Sequence, residues 1–179
     1  MNGREQAEEK IIEFLKSDEK VAIVTGTHMF EKHKLVVRVL DENLQNARIL
    51  FRTSNMRMAA HFLNNDNPMK TGHPYKGKNC TLFVDTVNKK TWDKHGTINI
   101  AIIYPLKPVS DYKIRKEIIE NLFDIHGIQK LILVSSQDTL DLTWAASINT
   151  KIVYDSLEDD PDSHQRVLDD IASEGFKRL

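Results

Sequence analysis

The sequence predicts an α/β domain of three layers on a doubly wound, mostly parallel sheet. Two observations lead there. Apolar runs of four to eight residues alternate with segments of helical periodicity along nearly the whole chain, the pattern of strands joined by crossover helices. The length, 179 residues with 40% apolar and 28% charged content, suits one globular domain over residues 1–179.

The elements follow in order. Ala7, Ile11, Phe14 and Leu15 share one face, so residues 1–18 open with an amphipathic helix. Val21–Thr25 is a short buried strand ended by Gly26. Leu35, Val36, Val39 and Leu40 mark a second helix, and Ala47–Ser54 a second strand. Ser54 or Asn55 can cap a helix over Met56–Leu63. Residues 65–79 form a long polar loop with no apolar period. Strand Thr81–Val87, a basic loop over 88–96 and strand Thr97–Tyr104 come next; the short gap suggests an antiparallel hairpin or a broken pair. A helix over Asp111–His126 stops at Gly127. Strand Lys130–Ser136, helix Thr139–Ile148, strand Lys151–Asp155 and a helix starting near Asp162, with Gln165 at capping-box spacing, complete the chain.

Composition removes several function classes. A net charge of −1 argues against a uniformly basic nucleic-acid coat. A single cysteine, Cys80, excludes a disulfide framework and any multi-cysteine metal site, and favours a reducing compartment. The charged N-terminus lacks the apolar core of a signal peptide, and the longest apolar runs fall well short of a ~20-residue membrane span. The expectation is a cytoplasmic domain without membrane contact. His28, Glu31 and His33 lack the spacing that puts two metal ligands on one helical face, and no nucleophile elbow is present.

Ligands of doubly wound sheets bind outside the carboxyl ends of the strands. Here those ends read Gly26-Thr27-His28, Thr53-Ser54-Asn55, Asp85-Thr86, Ser135-Ser136-Gln137-Asp138 and Tyr154-Asp155. The first continues to Glu31, Lys32 and His33. A phosphate loop of the form G-x-x-x-x-G-K-[ST] needs a second glycine to admit the phosphate, a lysine to reach it, and a hydroxyl to hold magnesium. Gly26, the spacing and Lys32 fit, whereas Glu31 replaces the glycine and His33 the hydroxyl. Asp85 ends an apolar strand, as a magnesium-organising aspartate does, but no glutamate follows it to activate water. The motif reads either as a plain strand–turn–helix with a chance lysine or as a degenerate phosphate loop, in which Gly26 and Lys32 are candidate ATP ligands and Asp85 the candidate magnesium ligand.

From Pro108 onward the chain resembles the C-terminal RecA-like domain of superfamily 2 helicases. The resemblance rests on Leu131-Ile-Leu-Val-Ser-Ser136, Leu140-Asp-Leu142, Ile152-Val-Tyr-Asp155, Asp160-Pro-Asp162 and His164-Gln165-Arg166. Lys34–Leu40 and Arg48–Asn55 are similar to the helix and strand that begin that domain, so residues 32–64 and 108–168 are covered. The glycine before the Leu-x-Leu segment is absent, and Val167-Leu-Asp-Asp170 stands where the helicases carry phosphate-reaching arginines. The resemblance implies a single RecA-like domain that has lost its hydrolytic residues, since a motor needs two such domains around ATP.

Between residues 70 and 95, six lysines face two aspartates, a local charge of +4 that the near-zero total hides. Lys70, Lys76, Lys78, Lys89 and Lys90 with Trp92 are the candidate nucleic-acid residues, since lysines beside a flat ring suit a phosphate backbone with stacked bases. Residues 155–162 carry five acids and no base, a solvated charge that favours the following helix N-terminus. The leading expectation is a non-hydrolytic helicase-like domain that binds nucleic acid or a protein partner. The alternatives are a nucleotide-binding enzyme and a pure interaction subunit whose partner supplies the missing domain.

Overall fold

The structure is a computed structural model and describes residues 2–136 and 140–179. Seven strands form one sheet: β1 Val21–Thr25, β2 Arg48–Thr53, β3 Tyr75–Lys76, β4 Thr81–Thr86, β5 Ile100–Ile103, β6 Lys130–Val134 and β7 Thr150–Val153. Their order is β3-β4-β2-β5-β6-β1-β7, and every pairing is parallel except the short β3–β4 edge. Among the described residues the α-helices are α1 Arg4–Lys16, α2 Lys32–Asn43, α3 Met56–Phe62, α4 Tyr112–Glu120 and α5 Pro161–Ser173.

The pleat sends alternate residues to opposite faces, and both faces are covered. Ala22, Val24, Ile49, Phe51, Ile100 and Ile102 join α1, α2 and α3 in one core through Ile11, Phe14, Val36, Leu40 and Ala59. Ile23, Leu50, Ala101, Ile103, Leu131 and Leu133 join α4 and the short turns in a second core through Ile118, Leu122, Trp92 and Val109. This is the three-layer, doubly wound arrangement that the alternation predicts.

Capping explains most helix starts. The Asn55 side chain accepts from Met58 N–H, Asp111 from Ile114 N–H and Asp160 from Ser163 N–H. The last helix therefore begins at Pro161, with Asp160 rather than Asp162 as its cap. A π turn over Asn121–Ile125 extends α4, and Gly127 at φ 66° ends it.

Three expectations change. β4 and β5 do not form a hairpin; both run parallel to β2, one on each side. The connection over 87–99, with its 3-10 turn Lys89–Lys94, is about the dozen residues that a parallel crossover needs. Within the expected helix over Thr139–Ile148, the structure has a 3-10 turn at Thr143–Ala145, because Asp141 Oδ1 takes the Thr143 N–H and hydroxyl. Gln137, Asp138 and Thr139 lie outside the described residues. Finally, the polar loop 65–79 contributes the two-residue edge strand β3.

Candidate functional site

The carboxyl ends of β1, β5, β6 and β7 lie side by side at one edge of the sheet, as the strand order requires. Gly26 leaves β1 at φ 125°, a backbone region that favours glycine; a Cβ there would sit 2.1 Å from Tyr154 O. The loop therefore lies flat against the end of β7. Thr27 N–H donates to Asp155 Oδ1 at 3.0 Å and His28 N–H to Tyr154 O at 3.2 Å. Thr27 Oγ1 accepts from Ser156 N–H at 2.9 Å and lies 2.7 Å from His164 Nδ1 on α5. Two N–H groups that would have to converge on a phosphate are thus turned to β7.

Lys32 is buried at the start of α2, and its ammonium donates to Gly26 O at 2.5 Å and to Ser136 O at 3.5 Å. Gly26 and Lys32 are brought together beneath the loop. Glu31 turns out of the loop to pair with Lys34 at 3.0 Å.

Asp85 stands elsewhere. β4 lies four strand spacings from β1, roughly 19 Å. Its carboxylate is fully buried: Arg52 donates to both oxygens at 2.8 and 2.7 Å, and His95 Nε2 lies 3.0 Å from Oδ2. Arg52 also donates to Asn121 Oδ1. The expectation that Asp85 holds magnesium beside Lys32 is corrected: it neutralises a buried arginine far from the loop.

For an acid to organise magnesium at the loop, it must end β1 or a strand near it. β5 is followed by Tyr104, and β6 by Ser135-Ser136 among the described residues. Asp155, past β7, is held by Thr27 N–H and by Arg178 at 2.6 Å. Burial pushes its pKa up, but the Arg178 and Thr27 hydrogen bonds outweigh this and hold it below the usual carboxylate value. Among the described residues, no group of three or more His, Cys, Asp or Glu side chains could hold a metal ion.

An aromatic cluster occupies the space between α2 and the ends of β2 and β5. His33 stacks on Tyr104 with ring centroids 3.9 Å apart and planes at 20°. Phe62 meets Tyr104 edge-on at 5.0 Å, and Phe51 closes the group. His33 Nε2 donates to Phe62 O at 2.7 Å; burial lowers the His33 pKa to about 4, so the ring is neutral and Nδ1 is left as an acceptor with no partner. Burial raises the Tyr104 hydroxyl to about 12. Sequence reasoning treats His33 as a lost hydroxyl and misses its partner. The polar tail of the run Ile100–Tyr104 is the available signal.

The candidate nucleic-acid residues are not brought together. Lys76 and Lys78 sit at the β3–β4 turn, whose backbone is pinned by Asp41 through Lys78, Asn79 and Cys80 N–H groups. Lys89 and Lys90 follow the opposite end of β4, about 20 Å away for a six-residue strand. Lys89 pairs with Glu117 at 2.9 Å. Lys70 is exposed, its backbone N–H donating to Tyr75 Oη. Trp92 is 7% exposed: its ring packs under the Arg52 guanidinium at 4.5 Å, and its N–H donates to Thr86 O. Trp92 as a base-stacking platform is therefore corrected to a core residue that covers the Arg52–Asp85 pair.

No family model and no curated protein matches this chain. Among solved structures it is similar to the large terminase of a thermophilic bacteriophage, with a TM-score of 0.56 and 8% identity. The match covers 92% of this chain and 48% of the terminase, so the chain spans about half of that protein's length. At this identity the likeness concerns the fold alone: an α/β domain built on a mostly parallel sheet. Among the described residues, no helix is long and apolar enough to cross a membrane.

Proposed function

We propose that this chain is a RecA-like domain that works by binding and does not turn over nucleoside triphosphates. The observation that carries the reading is the stacked His33–Tyr104 pair. His33 stands where a phosphate loop has its magnesium-holding hydroxyl, and Tyr104 directly follows a strand close to the loop, where an acid would be needed. The pair offers no oxygen anion to magnesium, and burial leaves the imidazole too weak a base, with its unpartnered Nδ1 shut away from water, to take a proton from water. The flattened loop, with Thr27 and His28 N–H groups committed to β7, supports the same conclusion. The domain's partner is nucleic acid, or a second protein domain that completes an assembly.

One observation favours a second reading, in which a nucleotide binds without being cleaved. Lys32 sits under the loop beside Gly26, in place for a phosphate if the loop lifts from β7. Calorimetric titration with ATP and GTP in the presence of magnesium separates the readings. The binding-module reading expects no heat that depends on Lys32 at millimolar nucleotide. Saturable heat that disappears in Lys32→Ala would establish the nucleotide site.

A further inference from the structure

Close to the same sheet edge, a cleft of about 300 Å³ opens between the loop after β1 and the end of α3. It is lined by Phe30, His33, Lys34, His61, Phe62 and Asn64. Phe30 is 61% exposed, a large flat ring left in water at the mouth. Phe62, opposite, is fixed by its edge-on contacts with Tyr104 and His33. Exposed apolar rings at a concave site mark a place where something else is bound.

The lining narrows what that is. Its faces are aromatic or imidazole, which suits a flat ring more than a branched aliphatic side chain. His33 is neutral, with its N–H committed to Phe62 O and its Nδ1 buried, so it gives the cleft wall no hydrogen-bonding atom. Lys34 borders the cleft, where it pairs with Glu31 at 3.0 Å and must exchange that carboxylate for a phosphate, and the exposed Arg57 stands one turn before His61 on the same face of α3. Flat rings inside and cations at the rim match a base attached to a phosphate chain.

We infer that this cleft takes an unpaired base of a single-stranded nucleic acid, with Phe30 as the stacking ring and Lys34 and Arg57 on the flanking phosphates. This deepens the reading of the domain as a binding module and rests on it. It also replaces the buried Trp92 with a ring that is free to stack. A duplex keeps its bases paired and stacked, so it cannot offer one to the cleft.

The test is fluorescence anisotropy of a labelled ten-nucleotide single strand in low salt, with the full chain. Phe30→Ala removes a ring that is mostly in water, so folding is not at risk. The expected result is saturable binding that weakens about tenfold in Phe30→Ala. Lys34→Ala combined with Arg57→Ala should lower the salt slope by roughly 1.4. Absence of binding by the wild-type chain overturns the inference, as does unchanged affinity in Phe30→Ala. Equal affinity for the matching duplex would also overturn it, as would adenosine monophosphate binding as tightly as the strand. Phosphate release from ATP would instead overturn the non-hydrolytic reading and leave a strand result standing, so the two failures are distinguishable.

Discussion

His33 and Asp41 are both held in one charge state by the fold, and both tie stability to pH. The His33 pKa falls from 6.5 to about 4 through burial, so the unfolded chain binds a proton more readily than the folded one. Its contribution is complete above pH 6.5 and is lost as the pH falls toward 4. For Asp41, burial raises the pKa, but N–H groups of Asn79, Lys78 and Cys80 outweigh it and lower the value below 3.8. Its contribution is present above 3.8 and disappears below that. Urea unfolding between pH 7 and pH 3 should therefore show two acid limbs. His33→Phe should flatten the upper limb, and Asp41→Asn the lower. A second residue-scale prediction concerns the fully buried Arg52–Asp85 pair. Asp85→Asn leaves Arg52 uncompensated and should cost about 3–5 kcal/mol by denaturant unfolding. Lys32 beside Gly26 is legible in the sequence from spacing alone. The role of Asp85 is not, because an apolar strand ending in aspartate looks the same whether the acid faces a ligand or a buried arginine from the neighbouring strand.

At the scale of elements, the two glycines that end β1 and α4 have different jobs. Gly26 lets the loop lie against Tyr154, and a methyl group there would collide with backbone. Gly127 has a positive φ, but nothing lies within 4 Å of where its Cβ would stand. Gly127→Ala should thus cost only the left-handed backbone penalty, about 1–2 kcal/mol by thermal or urea unfolding. Gly26→Ala should cost more, because β1 and β7 must separate. Equal costs would contradict the close approach at β7. Helices with strong periodicity and a capping side chain are legible to within a few residues, as α3 and α4 illustrate. The β4–β5 connection is not, because whether two neighbouring strands pair with each other or with β2 depends on tertiary placement. The segment after β6 also misleads: Leu140, Trp144 and Ile148 have helical spacing, but the Asp141–Thr143 hydrogen bonds favour a tight turn.

For the whole molecule, the alternation of strands and helices is enough to predict the layers. It cannot predict how charge is distributed over the surface. The lysines of residues 70–95 form one cluster in sequence, yet β4 carries Lys76 and Lys78 to one end of the sheet and Lys89 and Lys90 to the other. Replacing Lys76 and Lys78 by alanine should leave binding of a ten-nucleotide strand unchanged in the anisotropy measurement, since the cleft lies toward the opposite edge. The strand order also separates Asp85 from Lys32 and puts Tyr104 nearer the loop, and the proposed non-hydrolytic role rests on that placement. The most direct measurement is phosphate release from ATP and magnesium by the purified chain, with and without single-stranded nucleic acid. The account predicts none above the protein-free blank in either condition. Release that depends on protein concentration and is abolished by Lys32→Ala would contradict it.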